Sequence, residues 1–157
     1  MKQNTIYLDT SVLNFFFEEA DLEKSNSTKE LFREIKTGKY SAFISELVLR
    51  EIGKAPPIRK ERALSLIRTY NLPVIEVTSE SIELASKYTE RKIFPQKFRD
   101  DGLHIAIATV HRLDLVVTWN LRHMVKLKTR REVKAINLLE GYQEIEICTP
   151  LEVIESD

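Results

Sequence analysis

The chain has 157 residues, 43% hydrophobic and 31% charged, and its 24 Lys and Arg balance 24 Asp and Glu to a formal net charge of zero. That composition belongs to a globular domain with a real core, and at this length a single domain over 1–157 is expected. The charge balance argues against a protein that coats nucleic acid nonspecifically, while leaving room for a local basic surface.

The one cysteine, Cys148, has no partner for an internal disulfide and excludes a cysteine-rich zinc site, which points to a reducing cytoplasm. No apolar run is long enough to span a bilayer, and no signal-peptide pattern follows Met1.

In chain order, Thr5–Leu8 reads as a short buried strand and ends at Asp9, which is followed by the polar Thr10, Ser11 and Asn14. Phe15-Phe16-Phe17 follows, either core or a partner surface. Ser27–Lys36 is helical, with Leu31, Phe32 and Ile35 at helical spacing. Tyr40–Ser45 is a second strand, and Ser45 is placed to cap a helix over Glu46–Ile52. Gly53–Pro57 reads as a turn. Arg59–Tyr70 puts Ala63, Leu66, Ile67 and Tyr70 on one helix face. Pro73–Thr78 is a third strand, and Ser79–Arg91 is a helix with Ile82, Leu84, Ala85 and Tyr88 on its apolar side. Pro95 breaks the chain before the most hydrophobic helix, Asp101–His111. Asp114–Trp119 is a fourth strand, Thr129–Leu139 a helix ending at Gly141, and Gln143–Thr149 a fifth strand. Strands alternating with helices of these lengths predict one α/β domain, a mainly parallel central sheet flanked by helices.

In such a sheet, sites form outside the carboxyl ends of the strands. Asp9 lies there, as either a helix cap or a site residue. Glu51 shares a helix face with Leu47 and Val48, where a carboxylate is costly without a neutralising partner, although a boundary position would also explain it. Glu46, one turn before Arg50, looks like a solvated ion-pair partner. Asp101 opens the hydrophobic helix above Ile105 and Ala108, as a cap or as a ligand, and Asp100 competes for the cap. Gly102 leaves room for a close approach. Asn120 ends the fourth strand with an uncharged acceptor or a cap, and His123 one turn on can meet it or a phosphate. His104 reads as a packed, hydrogen-bonded histidine and His111 as a helix-end residue. Carboxylates gathered in one pocket repel each other unless a cation sits among them, and an oxygen-only set suits Mg²⁺ or Mn²⁺.

Four ordered segments resemble the motifs of PIN domains: Tyr7-Leu8-Asp9-Thr10-Ser11-Val12-Leu13, Ile44-Ser45-Glu46-Leu47-Val48-Leu49-Arg50-Glu51-Ile52, Asp101-Gly102-Leu103-His104-Ile105-Ala106-Ile107-Ala108 and Val117-Thr118-Trp119-Asn120. Ile147-Cys148-Thr149-Pro150-Leu151-Glu152 is similar to that family's closing strand and turn. The resemblance implies a ribonuclease that hydrolyses RNA phosphodiesters with Mg²⁺ or Mn²⁺, with Asp9, Glu51 and Asp101 at the acidic, metal-holding positions and Thr10 or Ser11 at the polar one. It also implies a VapC-type toxin with a cognate antitoxin, and self-association as a homodimer. Asn120 departs from the Asp that many members carry there, which weakens a second metal site. Substrate contacts are expected from Thr10, Ser11, Asn14, Asn120, Arg122 and His123. The stretch Arg122–Lys134, with six Lys or Arg and one Glu, is a backbone-contact surface or a solvated helix face.

A catalytically impaired PIN-fold module that binds RNA or protein is the alternative, resting on Asn120. A dehalogenase-like phosphatase would need an Asp where Ser11 stands. Gly38, Gly53, Gly102 and Gly141 form no phosphate-binding loop, which removes the dinucleotide-binding and P-loop classes.

Overall fold

A computed structural model describes residues 4–154; the outermost three residues of the expected 1–157 domain at each end lie outside the described residues. Five strands alternate with eight helices: β1 Asn4–Leu8, α1 Thr10–Phe15, α2 Leu22–Lys36, β2 Tyr40–Ser45, α3 Glu46–Gly53, α4 Pro57–Thr69, β3 Val74–Ile75, α5 Ser79–Glu90, α6 Arg99–Val110, β4 Leu115–Val117, α7 Leu127–Leu139, β5 Glu146–Cys148 and α8 Pro150–Val153. One 3-10 turn, Gln96–Phe98, leads into α6. All strand pairs are parallel, in the order β3-β2-β1-β4-β5. This is the expected single α/β domain.

The strand order puts a topological switch at the centre. From β1 the chain moves outward through β2 and β3, then returns to the other side of β1 for β4 and β5. In open parallel sheets sites form at such a switch point, here where the carboxyl ends of β1 and β4 lie side by side. Ile6, Tyr7 and Leu8 of β1 and Val116 and Val117 of β4 are fully buried, so those strand ends stand on close-packed, apolar core.

Local chemistry explains most boundaries. Asp21 caps α2 by accepting from the Lys24 N–H, which starts that helix five residues before the expected Ser27. Ser45 caps α3 as expected, accepting from the Leu47 and Val48 N–H groups. Proline serves as the first residue of α4, so the expected Gly53–Pro57 turn ends one residue sooner. Thr149 and Glu152 form a capping box that turns the end of β5 into α8, a helix rather than a closing turn alone. The β3, β4 and β5 ladders are shorter than the runs Pro73–Thr78, Asp114–Trp119 and Gln143–Thr149. Propensity marks where a chain is extended, whereas pairing ends where the neighbouring strand ends. Ile82, expected on the apolar side of α5, is exposed. Phe15, Phe16 and Phe17 pack half-buried against the core: Phe16 meets Phe32 edge-on at 5.3 Å, and Phe15 meets Trp119 at 5.9 Å. Phe16 and Phe17 also line a surface cavity of about 390 Å³, so the segment is packed on the core without being wholly withdrawn into it.

Candidate active site

Asp9 follows β1 directly and is almost fully buried. Its Oδ1 accepts from the Ser11 hydroxyl at 2.6 Å and from the Val12 N–H at 3.4 Å, and its Oδ2 accepts from the Thr118 hydroxyl at 2.5 Å. The two hydroxyls are themselves fixed, Ser11 accepting from the Trp119 N–H and Thr118 from the Asn120 N–H, both at 2.9 Å. Asp9 thus caps α1 and also ties β1 to β4. Burial raises its carboxyl pKa, against the lowering influence of His104 and the hydroxyls.

Glu51 projects from α3 with a third of its side chain exposed. Its Oε1 accepts from His104 Nε2 at 2.8 Å and from the Thr10 hydroxyl at 2.5 Å. Burial pushes its pKa up, but the His104 hydrogen bond and charge, with Thr10 and Arg50, outweigh that and leave it lowered. His104 shows the complementary change. Burial alone would lower it, yet Glu51, Asp9 and Asp101 together raise it. An ionised carboxylate only accepts, so Nε2 carries the proton that faces Glu51. Nδ1 lies 2.6 Å from the Tyr7 hydroxyl, which lies 2.8 Å from the Ser45 hydroxyl. A buried polar chain therefore runs from the cap of α3 through β1 to α6 and back to α3.

Asp101 stands in the first turn of α6 but does not cap it; Phe98 occupies the cap without a side-chain bond. Asp100 is not the cap either and lies 3.9 Å from Arg50. Glu46, expected to pair with Arg50, instead accepts from the Val77 N–H at 2.7 Å. Burial raises the Asp101 pKa and the Asp9 charge adds to it, while His104, an Asn120 side-chain hydrogen bond and His123 lower it. Asn120 takes the cap role of its two expected ones: its Oδ1 accepts from the His123 N–H at 3.0 Å. Gly102 makes a close approach to protein rather than to a ligand, since a Cβ there would meet the Phe94 ring at 2.9 Å.

One imidazole thus interacts with all three expected acids. Among the described residues, however, no three His, Cys, Asp or Glu side chains form a group that could hold a metal ion. Glu51 uses its Oε1 for His104 and Thr10. The expected donors, Asp9, Glu51 and Asp101, are all carboxylate oxygens. Mg²⁺ is commonly held by one or two carboxylates, with water and substrate phosphate completing its shell, so this donor chemistry fits such an ion.

The remaining expected residues are spread around this centre. Thr10 and Asn14 line a cavity of about 230 Å³ with Glu51 and Arg59. Arg122 is exposed, and the His123 ring stacks on Phe98 at 4.1 Å. In the Arg122–Lys134 stretch, Lys126, Lys128 and Arg131 face solvent, and Lys134 pairs with Glu144 at 2.7 Å. His111 ends α6, and its ring bonds the Glu76 carbonyl at 2.9 Å. Sequence reasoning missed Tyr7 and Thr118; His104 is the packed, hydrogen-bonded histidine expected, with Glu51 and Tyr7 as the partners that the sequence did not name. The available signals were modest: His104 sits one turn after Asp101 on the buried face, and a buried tyrosine hydroxyl needs a partner.

A switch-point crevice, strand-end acids and a polar chain behind them define an α/β domain of PIN-like fold. Two solved structures share it. A chain in the crystal structure of VapBC2 from Rickettsia felis bound to a DNA fragment from their promoter aligns with a TM-score of 0.54 and 15% identity, covering 92% of this chain and 98% of that one. A chain in the crystal structure of DNA-bound VapBC from Salmonella typhimurium aligns with a TM-score of 0.56 and 18% identity, covering 94% and 99%. No protein-family model and no curated protein matches the sequence. Among the described residues no helix is long and apolar enough to cross a membrane.

Proposed function

We propose that this protein is a metal-dependent ribonuclease that hydrolyses RNA phosphodiesters, the toxin of a toxin–antitoxin pair. The observation that carries the reading is the buried Asp9 at the carboxyl end of β1, tied to β4 through Thr118, together with Glu51 held by Thr10 and the buried His104. The shared fold with chains of two VapBC structures supports the toxin assignment and a peptide-like antitoxin partner. A homodimer is the assembly we expect, and sedimentation of the purified chain tests it; a clean monomer counts against it.

Asp9 and Asp101 would hold Mg²⁺ or Mn²⁺. When bound, the cation supplies charge neutralisation for the phosphate and an acidified water. Asp9 is held for this by Ser11 and Thr118. Glu51, kept ionised by His104, is the acceptor available for the proton of an attacking water, and Thr10 fixes its orientation. Asn14 and Arg122 stand where substrate oxygens can be met. The rival, an impaired module that only binds RNA or protein, draws on the engagement of Glu51 with His104 and on Asn120. Incubating the chain with single-stranded RNA and Mn²⁺, with and without Asp9→Asn, decides between them. Cleavage lost in the variant supports the nuclease; no cleavage by the wild type, or equal cleavage by both, ends that reading.

A further inference from the structure

Tyr7 is fully buried in β1, where a phenylalanine would fill the same space, yet it carries a hydroxyl that needs a partner there. That hydroxyl does not lie at the register of its own residue. Tyr7 pairs with Phe43 of β2, but its oxygen is 2.8 Å from the Ser45 hydroxyl, two residues nearer the carboxyl end of the sheet. The side chain therefore leans along the strand toward the end where Asp9 stands, and its oxygen lies 2.6 Å from His104 Nδ1.

The far side of the same imidazole faces Glu51. His104 Nε2 and the Thr10 hydroxyl both donate to Oε1, and Oε2 takes neither bond. Glu51 keeps a third of its side chain exposed and lines the cavity it shares with Thr10. Which imidazole nitrogen carries the proton is set by the bond that the other nitrogen makes. The Tyr7 hydroxyl can donate to Nδ1 of a neutral ring or accept from Nδ1–H of a charged one, with Ser45 donating or accepting in turn. In either state Nε2–H stays on Glu51. Without that hydroxyl the buried Nδ1 loses its partner, and the ring loses what fixes its orientation.

We propose that Tyr7 is a positioning residue for Glu51: through His104 it fixes Oε1, so that Oε2 is the oxygen presented to the attacking water. This rests on the ribonuclease reading and deepens it, assigning the base to one atom and its orientation to a residue that bonds His104 and Ser45 rather than the carboxylate. As the water oxygen bonds phosphorus, its proton passes to Oε2, and the P–O bond to the leaving oxygen breaks with the electron pair staying on that oxygen.

Tyr7→Phe keeps the ring and removes only the hydroxyl. Tyr88→Phe is its control, since Tyr88 is also fully buried and donates to Asn137 instead. Three readouts are compared: thermal melting, cleavage of single-stranded RNA with Mn²⁺, and imidazole ¹H–¹⁵N spectra of the metal-free protein. The wild type should show a slowly exchanging Nε2–H resonance, assigned to His104 by its loss in His104→Gln. Tyr7→Phe should lose that resonance and lower kcat about tenfold, part of what a placed base supplies, with KM unchanged. Tyr88→Phe should melt lower yet keep both the resonance and kcat. Should Tyr7→Phe fail to fold, the wild-type spectrum decides: a neutral His104 protonated on Nε2 supports the positioning, and one protonated on Nδ1 overturns it. Unchanged kcat in a folded Tyr7→Phe also overturns it, as does an equal kcat loss in Tyr88→Phe, which would make the effect one of stability. A resonance present in the wild type and lost in Tyr7→Phe, with no RNA cleavage by either, would defeat the ribonuclease reading and leave the positioning of Glu51 standing. Equal cleavage by both would do the reverse.

Discussion

The two sides of the crevice hold carboxylates in opposite ways. On the β1–β4 side, Asp9 is buried among hydroxyls, and both it and Asp101 carry raised pKa values because burial dominates. On the α3 side, Glu51 faces an imidazole and its pKa is lowered. His104 gives its hydrogen bond to Glu51 and reaches Asp9 and Asp101 only through its charge, which does not offset their burial. In the nuclease reading proposed above, a divalent ion would gain most beside Asp9 and Asp101, whose ionised forms burial makes costly, and Glu51, kept ionised by His104, would accept the proton.

The sharpest break of that contrast is Asp9→Asn. It keeps shape and can still pair with both hydroxyls, so folding should survive. RNA cleavage should fall by more than about a hundredfold, since several kcal/mol of transition-state stabilisation go with the ion. Calorimetric Mn²⁺ binding should weaken in parallel, and unaltered binding would remove Asp9 from the ligand set.

Glu51→Gln separates the two sides. If Glu51 acts beside the metal shell, its loss should weaken Mn²⁺ by about tenfold at most while still depressing cleavage. A loss of affinity as large as that of Asp9→Asn would merge the two sides into one cage.

The α3 side also has a pH signature. His104 has a folded pKa above its ordinary 6.5, so its stabilisation is complete below that value and is lost as pH rises through the folded one. Glu51 has a folded pKa below its ordinary 4.5, so its part is present above that value and is lost as pH falls through the folded one. The Tm advantage of wild type over His104→Gln, which retains a donor for Glu51, should peak between these ordinary values and shrink toward neutral and alkaline pH. A flat difference would mean that the pair is not ionised.

Gly102→Ala probes packing beneath Asp101. The added Cβ meets the Phe94 ring at 2.9 Å, and overpacking typically costs about 1–3 kcal/mol against a helix-propensity gain of about 1 kcal/mol. A net loss of about 1 kcal/mol is expected in denaturant unfolding, and a stabilised variant would show that Phe94 moves aside freely. The smallest effect belongs to Asn120→Asp. The new carboxylate keeps the cap on the His123 N–H and faces Asp101, so it should tighten Mn²⁺ by about the few-fold that one nearby charge supplies in a screened site. Equal affinity in both forms would leave Asn120 as a cap alone.

Much of this molecule was legible in one dimension. Buried β-branched runs located all five strands, the Ser45 cap and helical spacing located most helices, and the alternation dictated a parallel sheet. Those signals are local or periodic, and burial of an apolar stripe enforces them. Asp9, Glu51, Asp101 and Asn120 stood out because a carboxylate or amide at a strand end or on an apolar face needs a reason. What only the tertiary structure decided is how those residues are partnered. Nothing in the spacing says that His104 reaches across to Tyr7 and Glu51, that Thr118 closes on Asp9 over a separation of 109 residues, or that Phe98 meets His123. Hydrogen bonds and ring contacts are short-ranged and directional, so they are settled by how the ends of β1 and β4 sit against α3 and α6. The sequence by itself determined which groups are costly to bury; the fold decided that Glu51 is answered by an imidazole and Asp9 by hydroxyls.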